Sequence, residues 1–233
     1  MSKWLSRGMV KCGGLSLIIG FLLCVQSNGV ANAYFNVGRD TFTISNSPGY
    51  CFAMAAFSRW YYLLHHGEPS LRAVLDKNAQ QRLARDLQQF YSKNLITIQA
   101  DYCNRFHRNQ GESFKHFLSG LMIGDPRIVL LMNKGKRGIV LHAVLAYEWL
   151  PEDNVVKVYD PNYINAERFI DLEQRQYRSL DVTYNEICFP EVLDDHSALV
   201  AKMEKLYDTY IAKHHLIRNS RGRRAASNGS AYR

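Results

Sequence analysis

The feature that most constrains this chain is a change of hydrophobic period at Gly124-Asp125-Pro126. Before it, apolar residues recur at helical spacing; after it, they stand in short β-rich runs parted by turn residues. The segment Cys51 to His65 follows the punctuation Ser47-Pro48-Gly49 and is stopped by Gly67 and Pro69. Within it Phe52, Ala55, Ala56, Arg59 and Leu63 fall at three-and-four spacing, and so do Met54, Phe57, Tyr61 and Leu64, which predicts a helix buried on most sides. Further helices are predicted over Leu71 to Lys93 and Ser113 to Ile123. Beyond the break, Arg127 to Asn133, Ile139 to Leu150 and Val155 to Tyr159 read as an antiparallel meander, with turns at Lys134-Gly135-Lys136-Arg137-Gly138 and Pro151-Glu152-Asp153-Asn154. Additional strands are expected over Arg168 to Leu172 and Val182 to Phe189, a last helix over Asp195 to Ala212, and a polar, β-prone stretch over Tyr34 to Ser47. Helices first and antiparallel sheet afterwards define an α+β class, with a helical lobe ahead of a C-terminal sheet.

The two ends read differently from the middle. Lys3, Arg7 and Lys11 precede an apolar run, Leu15 to Val25, that ends before Ala31-Asn32-Ala33. This is the pattern of a cleaved signal peptide over residues 1–33, the apolar run being shorter than the about 20 residues a membrane span needs. Export to the periplasm or the exterior follows as an expectation. At the other end Lys213, Arg218, Arg221, Arg223, Arg224 and Arg233 follow the last acidic residue, Asp208. The formal charge of +8 and the pI near 9.3 therefore describe two ends, and residues 34–212 are close to neutral. Residues 213–233 lack apolar periodicity and are expected to form a solvated, disordered basic tail; contact with anionic envelope polymers or lipid is the alternative use. No motif supports specific nucleic-acid binding.

Loss of the leader removes Cys12 and Cys24 and leaves Cys51, Cys103 and Cys188. An odd count in an exported protein suggests one disulfide and one free thiol. Cys103 and Cys188 are the natural pair, two buried free thiols being the alternative.

That leaves Cys51, which stands in the first turn of its helix. There the positive end of the macrodipole and unpaired N–H groups favour a thiolate, and the Cys51 N–H is a candidate oxyanion donor. Alone, such a cysteine is weak evidence. His142 adds to it, because it lies inside the apolar run Ile139-Val-Leu-His-Ala-Val-Leu-Ala-Tyr147, where burying an imidazole needs a reason. Asp160, in Val158-Tyr159-Asp160-Pro161-Asn162, ends the next strand. Nucleophile, base and carboxylate thus occur in chain order. A satisfied core histidine and a turn-forming Asp-Pro are the plainer reading of the last two.

These residues resemble the papain-like cysteine peptidases, and most closely their C39-like branch. The likeness lies in Gly49-Tyr50-Cys51-Phe52-Ala53-Met54-Ala55, in Pro126-Arg-Ile-Val-Leu-Leu131 leading to His142-Ala143-Val144-Leu145-Ala146-Tyr147, and in Asp160-Pro161-Asn162, in a loose pattern over about half of residues 34–233. The resemblance implies a helical lobe carrying the cysteine packed on an antiparallel sheet carrying the histidine, with Cys51, His142 and Asp160 catalytic. The family usually carries a glutamine six residues before the cysteine to complete the oxyanion hole; here that position is Ser45. Asn46 is the nearest amide able to substitute beside the Cys51 N–H. Asn162 is the alternative orienter, since papain-type enzymes use asparagine.

Strand parity constrains the orienter independently. If Leu150 pairs with Val155 in a regular ladder, Asp160 stands opposite Leu145 and points to the face away from His142. The triad requires either an odd loop or a β-bulge in this hairpin.

Other candidates are weaker. His65-His66 and His214-His215 are adjacent pairs that do not share a helix face, and Glu112 with His116 lacks a third ligand, so neither a metal nor another cofactor is expected. Trp60-Tyr61-Tyr62 reads as core. The expected function is hydrolysis of a peptide or isopeptide bond in a protein, peptide or peptidoglycan substrate through a Cys51 thioester. Acyl or peptidyl transfer through the same thioester and a non-catalytic papain-like binding module are the alternatives.

Overall fold

The computed structural model describes residues 34–47, 49–65, 69–97, 103, 110–135, 138–190 and 196–212. The leader read over 1–33, the basic tail over 213–233 and the His214-His215 pair lie outside them. Six α-helices are described: α1 (Val37–Asp40), α2 (Cys51–His65), α3 (Leu71–Val74), α4 (Lys77–Asn94), α5 (Gln110–Met122) and α6 (Ser197–Tyr207), the last continued by a π-turn over Asp208–Ala212. The strands are β1 (Arg127–Gly135), β2 (Gly138–Leu150), β3 (Val155–Tyr159), β4 (Glu167–Asp171), β5 (Tyr177–Ser179), β6 (Val182–Tyr184) and β7 (Glu186–Cys188). The fold is mixed α+β, with helices α1–α5 ahead of the strands.

Every residue of α2 from Phe52 to Tyr61 is buried, as its apolar residues on two helical faces required. The helix packs on β2 and against α4, while α5 covers β1 and β2 and α6 lies on α4. The main sheet is antiparallel in the order β4-β3-β2-β1-β7, and β5-β6 form a separate hairpin. Its first four strands are the predicted meander extended by β4, and β7 returns to the free edge of β1, where Leu130 faces Cys188.

Three local expectations are corrected. The β-prone stretch Tyr34 to Ser47 holds no strand among the described residues. The Asp40 carboxylate instead accepts the Asn36 N–H at 2.8 Å and the Thr41 hydroxyl donates to Val37 O at 2.8 Å, closing a helical turn. Arg72 then ties this turn down, donating to Val37 O at 2.7 Å and Thr41 O at 3.0 Å. The single helix over Leu71 to Lys93 is two helices, because Asp76 is extended and its side chain captures the Ala79 N–H at 2.8 Å, which starts α4 as a new helix. The strand over Val182 to Phe189 divides at Asn185, its first half pairing with β5 and its second with β1.

The β2–β3 hairpin carries the feature that parity demanded. Leu150 pairs with Val155 across the even loop, but the register shifts between Ala146 and Glu148, leaving Tyr147 as the extra residue of a bulge. Beyond it Ala146 faces Val158 and Leu145 faces Tyr159. Asp160 therefore continues into the row of Val144, and Val144 shares a face with His142.

Candidate active site

Helix α2 places Cys51 at its first position. The turn before it uses Gly49 at φ +108°, a conformation that side-chain-bearing residues rarely adopt. Tyr50 O accepts the Met54 N–H at 2.9 Å and so begins the helix. Cys51 is half-buried and free, whereas Cys103 and Cys188 form a disulfide with Cα atoms 5.7 Å apart. That bond fastens the chain between α4 and α5 to the edge strand β7.

His142 projects from the centre of the sheet and is 3 % exposed; Asp160, just past the end of β3, is fully buried. His142 Nε2 lies 2.8 Å from Asp160 Oδ1. This leaves Nδ1 as the nitrogen available to Cys51, whose sulfur is within hydrogen-bonding reach of the ring. The Tyr184 ring stacks over the imidazole, with centroids 5.7 Å apart. Burial pulls the His142 pKa down, but hydrogen bonds to Asp160 and Cys51 and their negative charges outweigh it and push it up to about 9. At neutral pH the ring is an imidazolium.

Asp160 is held as a carboxylate. Burial opposes its ionisation, yet the hydrogen bond and charge of His142, the Ser179 hydroxyl and the Asn162 N–H together hold it below the usual carboxylate range. Oδ1 accepts from His142 and from the Asn162 N–H at 2.8 Å, and Oδ2 accepts from the Tyr177 hydroxyl at 2.8 Å and the Ser179 hydroxyl at 2.6 Å. Four donors thus fill its acceptor sites. Such saturation fixes the carboxylate and, through it, the imidazole tautomer and plane.

Asn162, the alternative orienter, has its Nδ2 at 3.4 Å from His142 Nε2. An amide nitrogen only donates, and so does a protonated Nε2, so this pair does not bond while Asp160 holds the proton side of the ring. The Asn162 amide donates instead to the Ser179 hydroxyl at 2.8 Å. Asn46 has a structural part as well. Its Nδ2 donates to Asn162 Oδ1 at 2.9 Å and its N–H to Pro161 O at 3.1 Å, so it clamps the turn before α2 to the loop after β3. The clamp uses one of the two Nδ2 hydrogens and makes Asn46 a positioning group; the second hydrogen is not engaged by it. Ser45 is exposed.

Tyr177, Ser179 and Tyr184 were not singled out from the sequence. Tyr177 and Ser179 alternate along β5 and present their hydroxyls to one carboxylate, but three residues are too short a run for period two to stand out. Among the described residues no group of three or more His, Cys, Asp or Glu is assembled as a metal site, and no helix is long and apolar enough to cross a membrane.

No family model, no curated protein and no solved structure matches the chain.

Proposed function

We propose that this protein is an exported cysteine hydrolase of papain-like type, related to the C39-like branch, that cleaves an amide bond through a thioester on Cys51. The observation that carries the reading is the buried His142–Asp160 pair, held by four donors to the carboxylate and turned toward a half-buried free cysteine at a helix N-terminus. A helical half bearing the nucleophile and an antiparallel sheet bearing the base support the papain-like assignment.

In the first half-reaction the Cys51 thiolate attacks the carbonyl carbon and the C=O π pair moves onto oxygen. Collapse of this intermediate breaks the C–N bond, and the His142 imidazolium gives its proton to the departing amine. In the second, neutral His142 takes a proton from water, the resulting hydroxide adds to the thioester, and the C–S bond breaks to return the thiolate and a carboxylic acid. An amine in place of that water gives the transferase reading through the same intermediate. The exposed Ser45, standing where the family carries a glutamine, is the observation on the side of a non-catalytic binding module.

Para-nitrophenyl acetate tests the reading without knowledge of the natural substrate. The purified protein is expected to release nitrophenol with an initial burst, and mass spectrometry to find one acetyl group on Cys51. The Cys51→Ala protein gives neither. Acetylation of the wild type no faster than that of His142→Ala would remove the hydrolase reading.

A further inference from the structure

The tetrahedral intermediate places a full negative charge on the former carbonyl oxygen, and stabilising it takes preorganised donors from more than one direction. The first N–H groups of a helix have no intrahelical acceptor, and Cys51 contributes one of them. Ala53 contributes another, and its N–H is already used: it donates to Gln88 Oε1 at 3.1 Å. Gln88 comes from α4, the helix packed beside α2.

That bond settles which way the Gln88 amide faces. A backbone N–H can meet only the oxygen, so Nε2 is directed away from Ala53. Among the described residues Nε2 has no acceptor. Gln88 also lines a shallow open groove with Tyr50, the residue before the nucleophile, together with Arg85, Gln89, Ser92 and Lys93. Cys51 and Ala53 are about 3 Å apart along the helix axis and about 200° apart around it, so the bond places the Gln88 amide at the same N-terminal turn that carries the Cys51 N–H. Tyr91, one turn further along α4, stacks on Phe52 with ring centroids 3.6 Å apart. The face of α4 bearing Gln88 and Tyr91 therefore abuts the first turn of α2.

We infer that Gln88 Nε2 is the second donor of the oxyanion hole, acting with the Cys51 N–H, and that α4 rather than the segment before Cys51 supplies it. This rests on the acyl-transfer reading of Cys51. Oriented by the Ala53 N–H, the amide is preorganised at a helix N-terminus and needs no rearrangement when charge develops.

Two reagents separate the donor from the thiolate. Iodoacetamide alkylates the Cys51 sulfur: a C–S bond forms as the C–I bond breaks and iodide leaves, and no oxyanion is formed. Para-nitrophenyl acetate is attacked at carbon by the thiolate; a C–S bond forms, the π pair moves to oxygen, and collapse expels para-nitrophenolate. The quantity read is the ratio of acylation to alkylation rates at Cys51. Gln88→Glu keeps an oxygen for the Ala53 N–H and nearly the same volume but replaces the donor with an acceptor. The wild-type ratio is expected to exceed that of N-acetylcysteine, and Gln88→Glu to lower it roughly tenfold or more. A ratio unchanged in Gln88→Glu, or a wild-type ratio equal to that of the free thiol, would overturn the assignment. So would a ratio that falls in Tyr91→Phe and holds in Gln88→Glu, since the donor would then be the phenol. Failure of the acyl-transfer reading itself shows separately, as wild-type alkylation no faster than that of His142→Ala.

Discussion

The Asp160→Asn protein is expected to fold and to lose turnover by a factor on the order of 10⁴, the loss known for the equivalent carboxylate-to-amide change in serine hydrolases. Folding survives because the two groups facing Oδ2 are hydroxyls, Tyr177 and Ser179, which can turn to accept from an amide nitrogen. The remaining amide oxygen stays toward His142 Nε2 and the Asn162 N–H. What disappears is the charge. Burial alone depresses the His142 pKa, and Asp160 supplies both a hydrogen bond and a Coulombic attraction against it. Without them only Cys51 works against burial, the ring holds its proton less tightly, and the proton the leaving amine requires is less available.

The same pair has a signature in stability. The folded-state pKa of His142 is raised from its ordinary 6.5 to about 9. Its contribution is therefore complete below pH 6.5, declines above it and is lost as pH rises through about 9. A melting temperature that declines between pH 6.5 and 9 in the wild type and much less in Asp160→Asn is the expected result. Asp160→Ala differs from Asp160→Asn in kind, because it takes away the acceptor of the buried Tyr177 and Ser179 hydroxyls, at a cost of about 1–3 kcal/mol for each group left unpaired.

Reduction of the Cys103–Cys188 bond has the second large expected effect. The bond spans a sequence separation of 85. In the chain-entropy model a loop of that length contributes about 4–5 kcal/mol, against a total of about 5–15 kcal/mol for a typical domain. Double replacement by serine adds two hydroxyls at positions where the sulfurs were buried. A melting temperature lower by about 10 °C or more is expected, both for the reduced protein and for Cys103→Ser/Cys188→Ser. An unchanged melting temperature would mean that the covalent tie between the helical half and β7 adds nothing to stability.

What was legible in the sequence depended on the length of the pattern that carried it. Helix α2 has apolar residues on two helical faces over fifteen residues and ends on the predicted residues. The three-strand meander was legible because its turns are strongly marked. The break between α3 and α4 was not, because one aspartate and its hydrogen bond to Ala79 override a run of good helix formers. The partition of Val182 to Phe189 between two sheets was equally hidden, since partner choice is a long-range property.

At the site, chain order and parity singled out Cys51, His142 and Asp160, and parity required a shift that the bulge at Tyr147 supplies. The surroundings of the carboxylate were beyond reach. Tyr177, Ser179 and Tyr184 come from a hairpin of two three-residue strands whose position over His142 is a tertiary fact. Asn46 was recognised as a nearby amide, but its partner Asn162 lies 116 residues away and no local pattern couples them. The same limit hid Gln88, whose bond to Ala53 joins two helices.

The central claim of the proposed function is that His142 activates Cys51 as a nucleophile, and the rate of Cys51 alkylation by iodoacetamide at pH 6.5 tests it most directly. An ordinary thiol with a pKa of about 8.5 is only about one per cent ionised there. The account predicts wild-type alkylation many times faster than that of N-acetylcysteine, with His142→Ala falling to the rate of the free thiol. Equal rates for the wild type, His142→Ala and N-acetylcysteine would contradict it.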